Sequence, residues 1–260
     1  MEHRYPVAVI GAGALGTLFA GRLAQVVPTA LIRRNTRNFP QADWVIVLVK
    51  SYDTDAAVRT ARAMKPKGVV SLQNGLIEQV AQGVTTAAAY REGKRVIPVA
   101  TGLTLLPPGF DALARHLRAA GFDVKVTKNI DAARRRKLLA NVCINPLTAV
   151  LGIRNGEVRE APQRHLLETL ASEAAPVLGI PRAEALRRVL DVAEVTAGNR
   201  SSMLQDIQAG RRTENDYLTG ALLRLARRKR VAVPTHQAFF QLIRVMERGI
   251  ESAGQPIPRP

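Results

Sequence analysis

The sequence has 260 residues, 47% hydrophobic, 23% charged and 4% aromatic, with 38 Lys and Arg against 21 Asp and Glu for a net charge of +17. That length and apolar content exclude a disordered chain and predict two globular domains. No apolar run is long enough for a membrane span and no signal-type segment precedes the first predicted strand, so a cytoplasmic protein is expected. The single cysteine, Cys143, excludes an internal disulfide. With no Cys/His cluster near it, no metal is expected and Cys143 is read as a small core residue.

A basic excess of this size favours nucleic acid, an anionic membrane or a polyanionic small molecule. The arginines are scattered as "RR", "RRR" and "RRKR" through segments of helical periodicity, without the interleaved aromatics that a single-strand stacking surface needs. A solvated Arg-rich surface is favoured over a nucleic-acid footprint, and neither nucleic acid nor membrane is expected as a partner.

Val7–Ile10 is a short apolar run of β-branched type, followed by "GAGALG" and then by Thr17–Val27, whose apolar positions recur at helical spacing. Strand, glycine turn and helix are predicted in that order. In the pattern G-x-G-x-x-G, Gly11 permits the tight turn, Gly13 lets the backbone approach a pyrophosphate, and Gly16 lets the helix pack closely on the strand. The helix N-terminus then faces the phosphates. A dinucleotide site is expected over Gly11, Ala12, Gly13, Ala14, Leu15 and Gly16.

The second strand is predicted over Thr29–Arg34, and its end is where an NAD site places an acid for the ribose 2′-hydroxyl. Arg33 and Arg34 stand there instead, with Arg37 close behind, and guanidinium groups match a 2′-phosphate in charge and geometry. NADP (NADPH) is expected rather than NAD, with either Arg33 or Arg34 turned into the site. Asp43–Lys50 reads as a strand buried on both faces, and Lys50 at its carboxyl end is either a cofactor contact or a solvated strand end. Gly68–Leu76 is a further strand ending in Asn74 and Gly75. An amide there can bond the nicotinamide ribose or a substrate, although Asn-Gly also favours a plain turn. Lys94–Leu106 and Gly121–Thr127 are expected to complete the same sheet.

From about Asn129 the strand pattern stops and helical periodicity persists to the proline-rich tail. The expected fold class is α/β: an N-terminal Rossmann-type parallel sheet domain over residues 1–128 and an all-α C-terminal domain over 129–260, with a substrate between them. The helix predicted from Arg134 to Gly152 carries Lys137, Asn141 and Asn145 at intervals of four on an otherwise apolar surface. At about 3.6 residues per turn these form one stripe. A buried polar stripe must find hydrogen-bond partners in a neighbouring helix or in a ligand. Reducing a carbonyl by hydride leaves an alkoxide, and a lysine tuned by burial suits its protonation. Pro146 removes one backbone hydrogen bond near the stripe's end.

A second polar cluster contains Asn199, Ser202 and Glu214. Ser202 with Gln205, and Thr213 with Asp216, both fit capping boxes, and Glu214 is expected to open the helix that runs toward Pro234. Spacing alone promotes none of these to a function.

Taken together, "GAGALGTLFAGRL", "LVKSYDT", "LQNGL", "RRKLLANVCINPLTAVLGIRNGE", "NRSSMLQDIQAGRRTENDYLTGALLRLARRKRVAVPTH" and "PIPRP" resemble the 2-dehydropantoate 2-reductase (ketopantoate reductase) family over nearly the whole chain. The resemblance implies NADPH-dependent reduction of ketopantoate to pantoate in pantothenate and coenzyme A biosynthesis, by a monomer or homodimer. It implies Lys137 as general acid and Glu214 as the carboxylate that orients the substrate's hydroxyl end. Asn141, Asn145, Asn155 and Asn199 are implied to line the substrate pocket, and Ser202 to contact the substrate carboxylate. Gly11 to Gly16, Lys50, Asn74 and one of Arg33 or Arg34 are implied on the NADPH side. The segment "NTRNFPQA" after the second strand is shorter than the family's, so a strand or hairpin is expected to be missing there.

Overall fold

A computed structural model describes residues 4–253, so the "PIPRP" tail lies outside the described residues. The chain divides into two units, residues 1–134 and 135–260.

In the first unit, β2 (Thr29–Ile32), β1 (Arg4–Ile10), β3 (Gln41–Val47), β4 (Gly68–Ser71) and β5 (Ala81–Gln82) form an all-parallel sheet in that spatial order. The second strand is thus shorter than expected, ending at Ile32, so Arg33 and Arg34 follow it rather than belong to it. The helices α1 (Ala14–Leu23), α2 (Thr54–Ala63) and α3 (Asp111–Ala119) supply its cover. Along β1, Val7 and Val9 enter one apolar cluster with Phe19 and Leu23 of α1 and Leu113 and Leu117 of α3. Ala8 and Ile10 enter another with Ala57 and Ala61 of α2 and with Met64. This alternation is what period two requires of a strand buried on both faces. The sheet order reverses direction at β1, between β2 and β3, and the crevice outside the strand ends at such a point is where α/β sheets bind ligands.

The expectation of one sheet is corrected. Leu103–Leu106 (β9) pairs in parallel with Asp123–Val126 (β10) and antiparallel with Val84–Thr85 (β6), making a separate sheet. Ala88–Glu92 (β7) and Arg95–Ala100 (β8) form a hairpin of their own. The run Lys94–Leu106 is therefore two strands in two sheets. The chain changes sheets at Gly83, between β5 and β6. Its N–H donates to Ser71 O at 2.9 Å, and a Cβ there would stand 2.7 Å from the carbonyl oxygen of Leu105. Only glycine lets the two backbones approach that closely.

The second unit is helical among its described residues. The helices are α4 (Ile130–Leu151), which begins just before the division, α5 (Gln163–Leu178), α6 (Arg182–Val195), α7 (Ser202–Gln208), α8 (Thr219–Lys229) and α9 (Pro234–Ala253). Leu138–Ala140 and Val142–Ala149 of α4 are buried, so this helix is the axis of the unit. Cys143 is fully buried in it, and burial pushes its thiol pKa up. The helix continues through Pro146, whose missing N–H leaves the Val142 carbonyl without its usual donor. Glu173 of α5 accepts from the N–H groups of Thr235 (3.0 Å) and His236 (3.1 Å), a carboxylate on the positive end of α9.

Candidate active site

In the first unit, the strand–turn–helix at the N-terminus is formed as the sequence predicts. Gly11 has φ +114°, and a Cβ there would stand 2.5 Å from the Leu48 carbonyl oxygen. A Cβ on Gly16 would collide with the carbonyl oxygen of Gly11, so the third glycine brings α1 onto the turn. Gly13 differs from both. It is exposed, caps α1 with extended backbone, and a Cβ there would meet nothing within 4 Å. Ala14 and Leu15 form the first turn of α1, which contains no acid and has no side-chain cap. The first N–H groups of the helix are left for an external acceptor.

The N–H of Gly11 donates to Ile32 O (3.1 Å), which sets the end of β2 beside the turn. Arg33 and Arg34 follow immediately and both are exposed. Arg34 Nη2 donates to Asp53 Oδ2 at 2.8 Å, whereas the Arg33 side chain has no ion-pair partner among the described residues. Lys50 sits three residues beyond the end of β3, at the start of the short turn Ser51–Asp53. Asn74 lies in the turn beyond β4, and its carbonyl accepts from Ser51 Oγ (3.2 Å), so Lys50 and Asn74 belong to one hydrogen-bonded rim.

Two residues that the sequence pattern does not single out brace these turns, one at the rim and one at the glycine turn. Gln73 is buried, and its Nε2 donates to Val49 O (2.9 Å) and Thr54 Oγ1 (3.0 Å), lashing the end of β4 to β3 and α2. Arg91, on β7, reaches the glycine turn and donates to Ala12 O. A Gln after a strand and an Arg in a basic chain are both too ordinary to stand out. Only their partners, at separations of 24 and 79 residues, distinguish them.

In the second unit, Lys137, Asn141 and Asn145 lie along α4. Lys137 and Asn141 are half-buried and Asn145 is buried. Burial lowers the Lys137 pKa from 10.5 to about 8, and the opposing charge of Glu214 raises it. Desolvation acts first because the ammonium end is enclosed even where part of the stem is exposed. Glu214 itself is buried. The sequence expectation for it is corrected: α8 begins at Thr219, and Glu214 stands in the turn before it, its carbonyl accepting from Tyr217 and Leu218 N–H (3.0 Å each). Thr213 Oγ1 accepts from Asn215 N, a local turn rather than a helix cap.

Asn155 is buried at the start of the turn Asn155–Arg159. Its N–H donates to Asn199 O (2.9 Å) and its Nδ2 to Thr196 Oγ1 (3.0 Å), while its buried Oδ1 has no partner. The structure thus brings Asn155 and half-buried Asn199 together. The capping expectation at Ser202 is also corrected. Ser201 caps α7, accepting from Leu204 N at 3.1 Å, and Ser202 is the first helical residue, exposed. Ser201 Oγ lies 2.7 Å from Thr148 Oγ1, which fixes the start of α7 beside α4, one turn beyond Asn145. An ammonium that loses its proton more readily than an ordinary lysine, a carboxylate and several amides can deliver a proton and hold a hydroxylated, carboxylated ligand.

Among the described residues no helix is long and apolar enough to cross a membrane. Two family models match the chain: "Ketopantoate reductase PanE/ApbA" over residues 25–106 and "Ketopantoate reductase PanE/ApbA C terminal" over residues 129–247. The 2-dehydropantoate 2-reductase of Shigella flexneri is 33% identical over 302 aligned positions that cover 98% of this chain and 99% of that protein. Since 302 positions exceed 260 residues, that relative carries segments this chain lacks. Among solved structures, a PanE/ApbA family ketopantoate reductase from Ralstonia eutropha JMP134 is similar with a TM-score of 0.80 and 27% identity, covering 96% of this chain and 100% of that one. D-Mandelate dehydrogenase with NADH and anilino(oxo)acetate has a TM-score of 0.83 at 22% identity, with 96% and 100% covered, a likeness of fold.

Proposed function

This chain belongs to the ketopantoate reductase family, and we propose that it reduces the 2-oxo group of ketopantoate to (R)-pantoate with NADPH, in pantothenate and coenzyme A biosynthesis. The observation that carries the reading is Lys137, a desolvated ammonium with its pKa drawn down to about 8 beside the charge of Glu214.

The residues of the glycine turn fit a dinucleotide: Gly13 faces open space, and the start of α1 has neither a capping side chain nor an acid. Bound NADPH supplies a hydride to the carbonyl carbon of the substrate. The backbone from Gly11 through Ala12, Gly13, Ala14 and Leu15 to Gly16 holds the pyrophosphate, and Lys50 and Asn74 hold the rest of the cofactor at the strand ends. Arg33 takes the 2′-phosphate, because Arg34 is already engaged by Asp53.

Lys137 Nζ gives a proton to the carbonyl oxygen as negative charge develops there, and is reprotonated from solvent after the alcohol forms. A pKa near the working pH makes that donation easier than from an ordinary lysine. Glu214 accepts from the substrate's hydroxyl and orients it. Ser202 donates to the substrate carboxylate. Asn141, Asn145, Asn155 and Asn199 line the pocket, and the unpartnered Asn155 Oδ1 offers an acceptor to a hydroxylated ligand.

The test follows NADPH oxidation with ketopantoate against simple 2-oxo acids, and again with NADH. Ketopantoate with NADPH is expected to have the highest kcat/KM. A simple 2-oxo acid turned over as efficiently would overturn the substrate assignment, and NADH used as well as NADPH would overturn the cofactor assignment.

A further inference from the structure

Arg91 stands on β7 of the β7–β8 hairpin, outside the pattern of strand, glycine turn and helix. Its Nη2 donates to the carbonyl of Ala12 at 2.5 Å and lies 3.2 Å from Thr17 Oγ1, which itself lies 3.3 Å from the same carbonyl. The guanidinium is therefore fixed against the peptide that precedes Gly13. It is exposed, makes no ion pair with a carboxylate among the described residues, and leaves Nε and Nη1 without protein partners.

Placed there, the charge works against the fold. The N-terminus of α1 already carries positive partial charge, and a cation beside it is unfavourable unless an anion neutralises both. The first turn of α1 contains no acid to do so. Ala12, the residue that anchors Arg91, directly precedes Gly13, at which a Cβ would meet nothing within 4 Å, and a planar guanidinium fork suits two oxygens of a phosphate.

We propose that Arg91 is a further cofactor-binding residue: held by Ala12 and Thr17, it closes over the glycine turn and contacts the pyrophosphate of the nicotinamide dinucleotide. This rests on the reading of the turn as a dinucleotide site. Because NADPH and NADH share the pyrophosphate, Arg91 serves both, in contrast to Arg33 at the 2′-phosphate.

The test measures Kd for NADPH and for NADH by nucleotide fluorescence or calorimetry at two salt concentrations. It uses the unaltered chain, Arg91→Ala, Arg91→Lys and Arg33→Ala, with thermal melts of each. Arg91→Ala is expected to weaken both nucleotides by the same factor, about ten- to a hundred-fold, with a shallower salt dependence. Arg91→Lys keeps the charge without the fork and should fall between. Arg33→Ala should weaken NADPH alone. Unchanged affinity for both nucleotides in a folded Arg91→Ala overturns the proposal while leaving the dinucleotide site intact. So does a loss for NADPH only, or a loss that Arg91→Lys restores completely along with melting temperature. If the unaltered chain binds neither nucleotide, the dinucleotide reading falls and this proposal with it.

Discussion

Thr213 gives both its N–H and its hydroxyl to Glu247 Oε1, at 2.8 and 2.7 Å, so the residue before Glu214 is held from α9. Two residues earlier, Arg211 donates twice to Asp206 Oδ1 of α7 (3.1 and 2.9 Å). The segment that leads into Glu214 is thus tied at two points to helices.

That tie predicts the behaviour of Glu247 variants. Glu247→Ala should raise the KM for ketopantoate several-fold and destabilise the fold by about 1.5–3 kcal/mol, the order of a lost hydrogen bond to a charged group. Glu247→Gln retains an acceptor and should recover most of both. Steady-state kinetics and thermal melts check this, and equal effects of the two variants would count against a positioning role.

For Lys137 the sign of the pH effect follows from which form acts. In the proposed reaction the ammonium is the proton donor, and it predominates below about pH 8. The kcat/KM for ketopantoate should therefore be level below that pH and fall about tenfold per unit above it. Lys137→Ala should lose about 10²–10⁴-fold in kcat while its NADPH affinity changes little, and the alkaline limb should vanish from its residual activity. A limb that persists in the variant would assign the titration to another group.

His236 makes stability depend on acid. It is fully buried, its Nε2 lies 3.0 Å from Leu170 O, and burial lowers its pKa from 6.5 to about 4. Between those values the unfolded chain binds the proton and the folded chain does not. Folding stability from this group is complete above pH 6.5 and drains away as pH falls toward 4, by about 3 kcal/mol in all. Denaturant titrations at pH 7 and near pH 4 of the unaltered chain and His236→Gln measure it, and the variant should show the smaller pH dependence.

The glycines at the turn separate folding from binding. Gly16→Ala forces a Cβ into the Gly11 carbonyl and should lower the melting temperature markedly. Gly13→Ala meets nothing in the protein and has ordinary φ (−67°), so its melting temperature should hardly move. The added methyl occupies space proposed for pyrophosphate, so NADPH affinity should nevertheless fall. Melts and NADPH titrations on the pair separate the two effects.

Much of this was legible locally. The turn from Val7 through Gly16 is contiguous, and Gly16 answers to the Gly11 carbonyl inside it. The polar stripe of α4 follows from a fixed helical period. Less legible were features with two equivalent local solutions. Adjacent Ser201 and Ser202 can each cap a helix, and the hydroxyl of Thr148, 53 residues away along the chain, accompanies the choice of Ser201. The stretch Glu214–Leu218 has helix-like turns, yet the regular helix starts only at Thr219.

The sequence by itself determined the strand, glycine turn and helix at the start, the switch from sheet to helices, and the amphipathic register that aligns Lys137, Asn141 and Asn145. These depend on neighbours within one or two turns of chain. Tertiary structure decided which strands share a sheet, how far Lys137 loses its water beside Glu214, and where Arg91 docks. Those outcomes arise from groups distant in sequence: strand propensity does not name a partner, and burial is a property of everything packed around an atom.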